Sequence, residues 1–275
     1  MAPFKFQIVS DLHLDNSRLY DTWIKPSAPY LALLGDIGII TPNHRDQLAQ
    51  FLRMKCLKRF KVVFYVPGNH EAYWTSWESV RTFFANFKRE VNERRSRGEE
   101  LGEFVLLDQG RYDLDSDDKE DKLSVLGCTL FTHVPPAAEA EAQRKLDDFR
   151  KTKNWTVACH NAAHAAQLGW LNSQVEELEG TGRRVAIFTH HSPTVDDRTV
   201  PLQYRGTDLN TAYSNDLSRE PCWTSEAVRL WAFGHTHHNC DYVDAHGKRV
   251  YTNQKGYGYE DLKHKGYEVG RVVEV

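Results

Sequence analysis

Seven short runs of nearly unbroken apolar residues limit what this chain can become: FKFQIVS, YLALLG, KVVFYV, FVLLD, KLSVLG, RVAIFTH and VRLWAFG. A strand with one wet face alternates apolar and polar residues. An unbroken run suits a strand whose sheet is covered on both sides. Helix-like stretches lie between the runs. RDQLAQFLRMKCLKRF sets Leu48, Phe51, Leu52 and Cys56 on one side, and WESVRTFFANFKREVNERR does the same with Val80, Phe83, Phe84, Phe87 and Val91. WTVACHNAAHAAQLGWLNSQVEEL continues the pattern with Leu168, Leu171 and Val175. NCDYVDAHGKRVYTN reads as a hairpin turning at Ala245, His246 and Gly247. This order predicts an α/β sandwich of two sheets with helices outside, in one domain over residues 1–275. RYDLDSDDKEDK reads as an acidic, solvated loop and KREVNERRSRGEE as a solvated helix end. FTHVPPAAEAEAQRKLDDFRKTKNW reads as a long connection at the rim of a site.

The bulk numbers narrow the classes of partner. A net charge of -3 gives no overall basic field, so neither nucleic acid nor an anionic membrane is an expected partner. A small anionic substrate would need a local positive site, such as bound cations. No apolar run reaches the length of a membrane span. The opening MAPFKFQIVSDLHLD lacks a signal-peptide layout. The five cysteines (Cys56, Cys128, Cys159, Cys222 and Cys240) are scattered, form no C-x-x-C pair, and read as free thiols in a reducing compartment. The cytoplasm is the expected location, with the nucleus as the alternative. Nothing here sets the oligomeric state.

Five of the apolar runs end in the same way. QIVS is followed by Asp11 and His13, LALL by Gly35 and Asp36, and VVFYV by Pro67, Gly68, Asn69, His70 and Glu71. VAIFT is followed by His190 and His191, and LWAF by Gly234, His235 and His237. In an α/β sheet the carboxyl ends of parallel strands line one crevice. Asp11 and His13, one residue apart, would point the same way in extended chain, as would His235 and His237. A lone buried histidine is usually a hydrogen-bonded core residue, and a lone Gly-Asp is usually a turn. Five such endings in series would gather many costly polar groups without compensation, unless cations supply it.

The ordered set D-x-H, G-D, G-N-H-E, T-H-H and G-H-T-H resembles the calcineurin-like metallophosphoesterase superfamily. The resemblance implies a four-layer α/β/β/α sandwich of two mixed sheets flanked by helices. It also implies a two-metal site. Asp11, His13 and His237 would hold one ion, Asn69, His190 and His235 the other, and Asp36 would bridge them. Imidazole and oxygen ligands without thiolate suit Mn, Fe or Zn. The implied chemistry is phosphoester hydrolysis by a hydroxide shared between the metals, with His70 as the general acid. One departure stands out. Many relatives read G-D-x-x-D, and the second Asp orients the catalytic His; this chain has Ile39 there.

The expected activity is that of a phosphodiesterase on small substrates such as cyclic nucleotides. A phosphomonoesterase is the nearest alternative, and a scaffold that keeps the fold without the chemistry is the reading from another class. Several residues stay open. His191 and His238 follow ligand motifs and suit either support of the site or packing. His160 and His164 read as helix packing near the rim, and Arg150 as a surface ion pair rather than a phosphate contact. Tyr73, Trp74 and Trp77 would either form an aromatic wall for a nucleobase or pack beneath the turn. Asn253, Gly256 and Tyr257 match an N-x-x-G-Y element of a subgroup of small bacterial and fungal members, with no role legible in the sequence.

Overall fold

The structure is a computed structural model that describes residues 4–16, 20, 24–116, 121–201, 205, 213–257 and 266–275. Its first sheet contains β1 (Lys5–Val9), β2 (Tyr30–Leu34), β3 (Val62–Val66), β4 (Glu103–Leu106) and β11 (Val272–Glu274), in the order β11-β1-β2-β3-β4. Strands β1 to β4 are parallel, and β11 adds antiparallel at the edge. The second sheet contains β5 (Gly110–Asp115), β6 (Lys122–Cys128), β7 (Arg184–Thr189), β8 (Val228–Phe233), β9 (Asp241–Val243) and β10 (Arg249–Thr252). Its order is β5-β6-β7-β8-β10-β9, with the four inner strands parallel and both edges antiparallel.

The unbroken apolar runs divide by alternation into two cores. On the first sheet Phe6, Ile8, Ala32, Leu34, Phe64 and Val66 face the second sheet and meet Val125, Ala186, Phe188, Leu230, Ala232 and Tyr251. Phe6 packs edge-on against Phe188 with ring centroids 5.5 Å apart, tying the sheets together. The intervening Leu31, Leu33, Val63 and Tyr65 pack with Leu48, Phe51, Phe84 and Phe87. These come from helices α1 (Arg45–Phe51), which runs on into a wider turn over Leu52–Leu57, and α2 (Trp77–Ser96). On the outer face of the second sheet Val185, Ile187, Trp231 and Phe233 meet Leu171, Val175, Leu178 and Trp223. The layers are therefore helix, sheet, sheet, helix, as the resemblance implied. Burying one such apolar side chain is worth about 1.5–3 kcal/mol.

Caps set where the helices begin. Ser76 Oγ accepts the Ser79 N–H at the start of α2. Thr156 does the same for Cys159 at the start of α5 (Val157–Leu178). The long connection before α5 holds two short helices, α3 (Glu139–Lys145) and α4 (Asp147–Lys151). The last helix, α6 (Pro221–Thr224), is a single turn.

One sequence expectation is corrected. RYDLDSDDKEDK is not solvated loop throughout, because Gly110–Asp115 pairs antiparallel with β6 as an edge strand, while 117–120 lie outside the described residues. Its charged side chains misled the reading, yet they form ladders. Arg111 bonds Asp113, and Arg183 reaches Asp115, so charge lies along an edge that would otherwise invite further strand pairing. The short strand β11 also had no sequence reading.

Candidate metal centre

The carboxyl ends of β1, β2, β3, β7 and β8 meet at one end of the sandwich, and their loops interlock through backbone bonds. Asp11 N–H donates to Gly35 O (3.0 Å), His13 N–H to Asp36 O (2.9 Å) and Gly234 N–H to His190 O (2.9 Å). The Glu71 carboxylate, fully buried, clips two of these loops. It accepts from Asp36 N–H (3.1 Å), Ile37 N–H (2.9 Å), Gly68 N–H (2.8 Å) and Tyr65 O–H (2.7 Å). A buried carboxylate with that many donors is satisfied without a cation.

Side chains converge by left-handed backbone, not by extended-chain alternation. Asp11, His13, Asp36, His235 and His237 have φ of 53°, 45°, 54°, 67° and 49°. Asp11 and His13 do come together, as expected, but not as i and i+2 of an extended strand; each sits at a bend. Non-glycine residues held in this region store strain, and such strain clusters at functional sites. Two glycines allow the loops to close. A Cβ on Gly35 (φ +84°) would stand 2.3 Å from His190 Nδ1, and one on Gly68 would stand 2.3 Å from Asp36 Oδ1.

Three clusters of ligand-capable atoms result, each within 4.8 Å: Asp11, His13 and His237; Asp36, His190 and His235; and His13, Asp36 and His70. Asp36 links them. Its Oδ1 is 3.4 Å from His190 Nε2, and its Oδ2 is 4.0 Å from His13 Nε2 and 3.7 Å from His70 Nε2. His237 Nε2 lies 3.3 Å from Asp11 Oδ1 and 3.1 Å from His13 Nε2. Asn69 Oδ1 lies 2.8 Å from His190 Nε2.

Supporting residues aim several of these groups. Asn69 Nδ2 donates to Asp148 Oδ1 (2.7 Å) and Tyr73 Oη (2.9 Å), which turns its oxygen toward His190. His190 Nδ1 is bound to the Leu34 carbonyl at 2.9 Å, leaving Nε2 for the site. The Gln254 carboxamide accepts His237 N–H at 2.6 Å.

Electrostatics fit a cation site. Burial, with the Glu71 and Asp11 charges beside it, pushes Asp36 well above the usual carboxylate range. Burial works to raise Asp11 too, but the His237 hydrogen bond and neighbouring imidazoles win and hold it low. Burial, reinforced by other imidazoles, lowers His13 and His235, and burial also lowers His190. Neutral imidazole is the form that binds metal. Buried His13 Nδ1 and His235 Nε2 also lack hydrogen-bond partners among the described residues. Two buried carboxylates, one raised by its own kind, beside neutral imidazoles with unmet nitrogens are a donor set suited to divalent cations.

The open residues sort themselves. His191 is fully buried, its ring 4.2 Å from that of His235 and its Nδ1 on the Thr129 carbonyl, so it packs behind the site. His160 is buried among Phe131, Phe149 and Trp155, with Nε2 on Thr132, and His164 bonds the Phe131 carbonyl. Both are helix packing. Arg150 is exposed and leans on Asp147 at 3.6 Å. The aromatic group splits: Tyr73 and Trp77 are buried, whereas Trp74 is 67% exposed with φ of 64°. Sequence reasoning missed Asp148, Gln254 and the clip role of Glu71. Only Glu71, inside G-N-H-E, carried a local signal. Asp148 reaches Asn69 across 79 positions of chain, and no spacing rule could pair them.

The chain is similar to several known proteins. An uncharacterized protein of Acanthamoeba polyphaga mimivirus is 27% identical over 278 residues, 92% of this chain and 91% of that one. Phosphopantetheinyl hydrolase from Mycobacterium tuberculosis has a similar fold, with a TM-score of 0.65 at 16% identity over 100% of this chain and 96% of the other. A dimetal phosphatase from Danio rerio gives 0.53 at 17% identity over 91% and 87%. The sequence itself matches the family described as calcineurin-like phosphoesterase across residues 4–239, a span that runs past the last of the histidine motifs. The chain therefore belongs to the calcineurin-like phosphoesterase family.

Proposed function

We propose that this protein hydrolyses small phosphoesters, diesters ahead of monoesters, at a centre of two divalent cations of the Mn, Fe or Zn type. Asp11, His13 and His237 would hold one, Asn69, His190 and His235 the other, and Asp36 both. The observation that carries this reading is the Asp36 carboxylate. One oxygen lies 3.4 Å from His190 and the other 4.0 Å from His13, so a single carboxylate lies within reach of both clusters. Bound cations of this kind activate water and neutralise charge on phosphoryl oxygens.

The protein's own groups do the rest. Asp148 and Tyr73 keep the Asn69 oxygen inward, and Glu71 keeps the loops of Asp36 and Asn69 in register. His70, at the open side of Asp36, would give the leaving oxygen its proton. Burial, with the His190 imidazole beside it, pushes free His70 down to about 3. An anionic phosphoester against the ring would raise it, so that the imidazole takes up a proton from solvent. The preference for diesters is supported by charge. A diester brings one negative charge where a monoester brings two. Arg150 is turned away, and Lys151 is already paired with Asp147 at 2.7 Å. Trp74, exposed and with its backbone N–H on the Lys151 carbonyl, offers a flat face for a nucleobase such as that of a cyclic nucleotide.

The test is a pair of variants assayed on bis(p-nitrophenyl) phosphate, p-nitrophenyl phosphate and cyclic nucleotides. Asp36→Asn should lose metal and turnover together. His70→Ala should keep both metals and slow turnover of the cyclic nucleotides, whose alkoxide leaving group needs a proton, by about 10²–10⁴-fold, with a much smaller effect on the p-nitrophenyl esters. Full activity of Asp36→Asn would overturn the role given to Asp36, and wild-type protein that binds metal yet hydrolyses none of these would favour a scaffold instead.

A further inference from the structure

His70 lacks the carboxylate that the G-D-x-x-D pattern supplies, since Ile39 is buried and apolar. Packing alone does not settle its orientation. The ring lies against Tyr73 with centroids 4.3 Å apart and edge-on to His13 at 4.6 Å. These contacts set the plane of the imidazole, but a half-turn about the ring axis would preserve them. A hydrogen bond distinguishes the two orientations, and one is present: Tyr257 Oη lies 3.1 Å from His70 Nε2.

Tyr257 is itself held from two directions. Its ring stacks on His13 at 4.3 Å and 28°, and lies edge-on to His237 at 4.8 Å. Its backbone follows a strap pinned to the loop after β1. Lys255 N–H donates to Ser10 O (3.1 Å) and Gly256 N–H to Asp11 O (3.0 Å). Gly256, at φ +72°, makes the bend that brings the phenol over the centre. The same backbone that positions Asp11 therefore delivers the Tyr257 hydroxyl.

We propose that Tyr257 is the positioning residue of His70, its hydroxyl selecting the ring nitrogen that faces the reacting phosphoester. This rests on the proton-donating role assigned to His70 above. A hydroxyl both donates and accepts, so it holds Nε2 turned toward the centre in either tautomer and yields that nitrogen to the leaving oxygen when substrate enters. If Tyr257 merely roofed the site, its ring would matter and its oxygen would not.

Tyr257→Phe separates these cases in the full-length, metal-loaded protein. The substrates are methyl p-nitrophenyl phosphate, whose phenolate leaves without help, and methyl phenyl phosphate, whose leaving group needs a proton. The matching monoesters replace them if only monoesters turn over. Tyr257→Phe is expected to lower kcat on the phenyl ester about tenfold, as for one lost hydrogen bond. KM and metal content should hold, and the p-nitrophenyl ester should stay within about twofold. Combined with His70→Ala, it should add no further loss. In metal-free protein the His70 imidazole nitrogen resonances should move in Tyr257→Phe. Equal loss on both esters, loss of metal, additivity with His70→Ala, or a Tyr257→Phe indistinguishable from wild type while His70→Ala is slow would each overturn this inference and leave the His70 reading standing. A His70→Ala as fast as wild type on both esters would overturn the His70 reading, and this one with it.

Discussion

Asn69 shows how a neutral side chain becomes a dependable oxygen donor. A carboxamide presents nitrogen or oxygen with equal ease, and only its neighbours choose. Here the NH₂ group is consumed by Asp148 and Tyr73, so the oxygen has one place to go. Groups that orient a metal ligand typically contribute 10–100-fold in affinity. Asp148→Ala should therefore weaken metal at the cluster of Asn69, His190 and His235 by about that factor and spare the cluster of Asp11, His13 and His237. Titration followed by calorimetry would read this as one tight and one weakened site; two equally tight sites would contradict it. The ligand types at the strand ends were legible as residues, but what aims them was not. Asp148 lies in a connection that has no pattern of its own, and Tyr257 meets His70 from 187 positions away.

Among the elements, the strands were the most legible, because burial on both faces leaves an unbroken apolar run. The exceptions are edges. In β5 (Gly110–Asp115) only Leu114 is buried, so the period that marks a strand is missing, and its partner β6 supplies the order. The hairpin of β9 and β10 is an edge as well, and charge holds it. Asp241 accepts from Arg249 through two bonds of 2.8 Å and from Arg271 at 3.0 Å. The Arg249 hydrogen bonds hold its carboxyl below the ordinary 3.8. A carboxyl lowered by folding adds stability above its unfolded pKa, and that contribution disappears as pH falls through the folded value. Asp241→Asn should thus cost about 0.5–1 kcal/mol at neutral pH, discounted for a partly exposed group. The gap from wild type should shrink below about pH 4. Urea unfolding of both proteins at neutral and acid pH measures it, and a gap that persists in acid would assign the loss to packing.

At the scale of the molecule, the two sheets are a device for bringing distant strand ends together. Backbone and side-chain bonds cross between them at the site: His190 Nδ1 bonds the Leu34 carbonyl, and Thr129 Oγ1 donates to the Pro67 carbonyl at 2.8 Å. Asp11 and Asp36 are buried there at 0% and 2% exposure, so the fold carries an electrostatic cost that cations would offset. Removing divalent cations with a chelator should lower the melting temperature on the order of 10 °C, since ligand bound well above its Kd stabilises by about 3–4 kcal/mol. Scanning calorimetry with and without added Mn, Fe or Zn gives the comparison. An unchanged melting temperature would mean that protonation of Asp36 already compensates the cluster.

The order of residues alone dictated the buried strands, the three amphipathic helices and the five polar endings, because apolar period and turn chemistry are local properties that neighbouring residues express together. It also carried the family, through motifs strung from Asp11 to His237. The left-handed bends that make Asp11 converge with His13, the Asp148 hold on Asn69, and the phenol of Tyr257 against His70 belong to the folded molecule. Each depends on atoms brought within bonding distance by packing of two sheets, and contact between residues many positions apart leaves no periodic trace in a single chain.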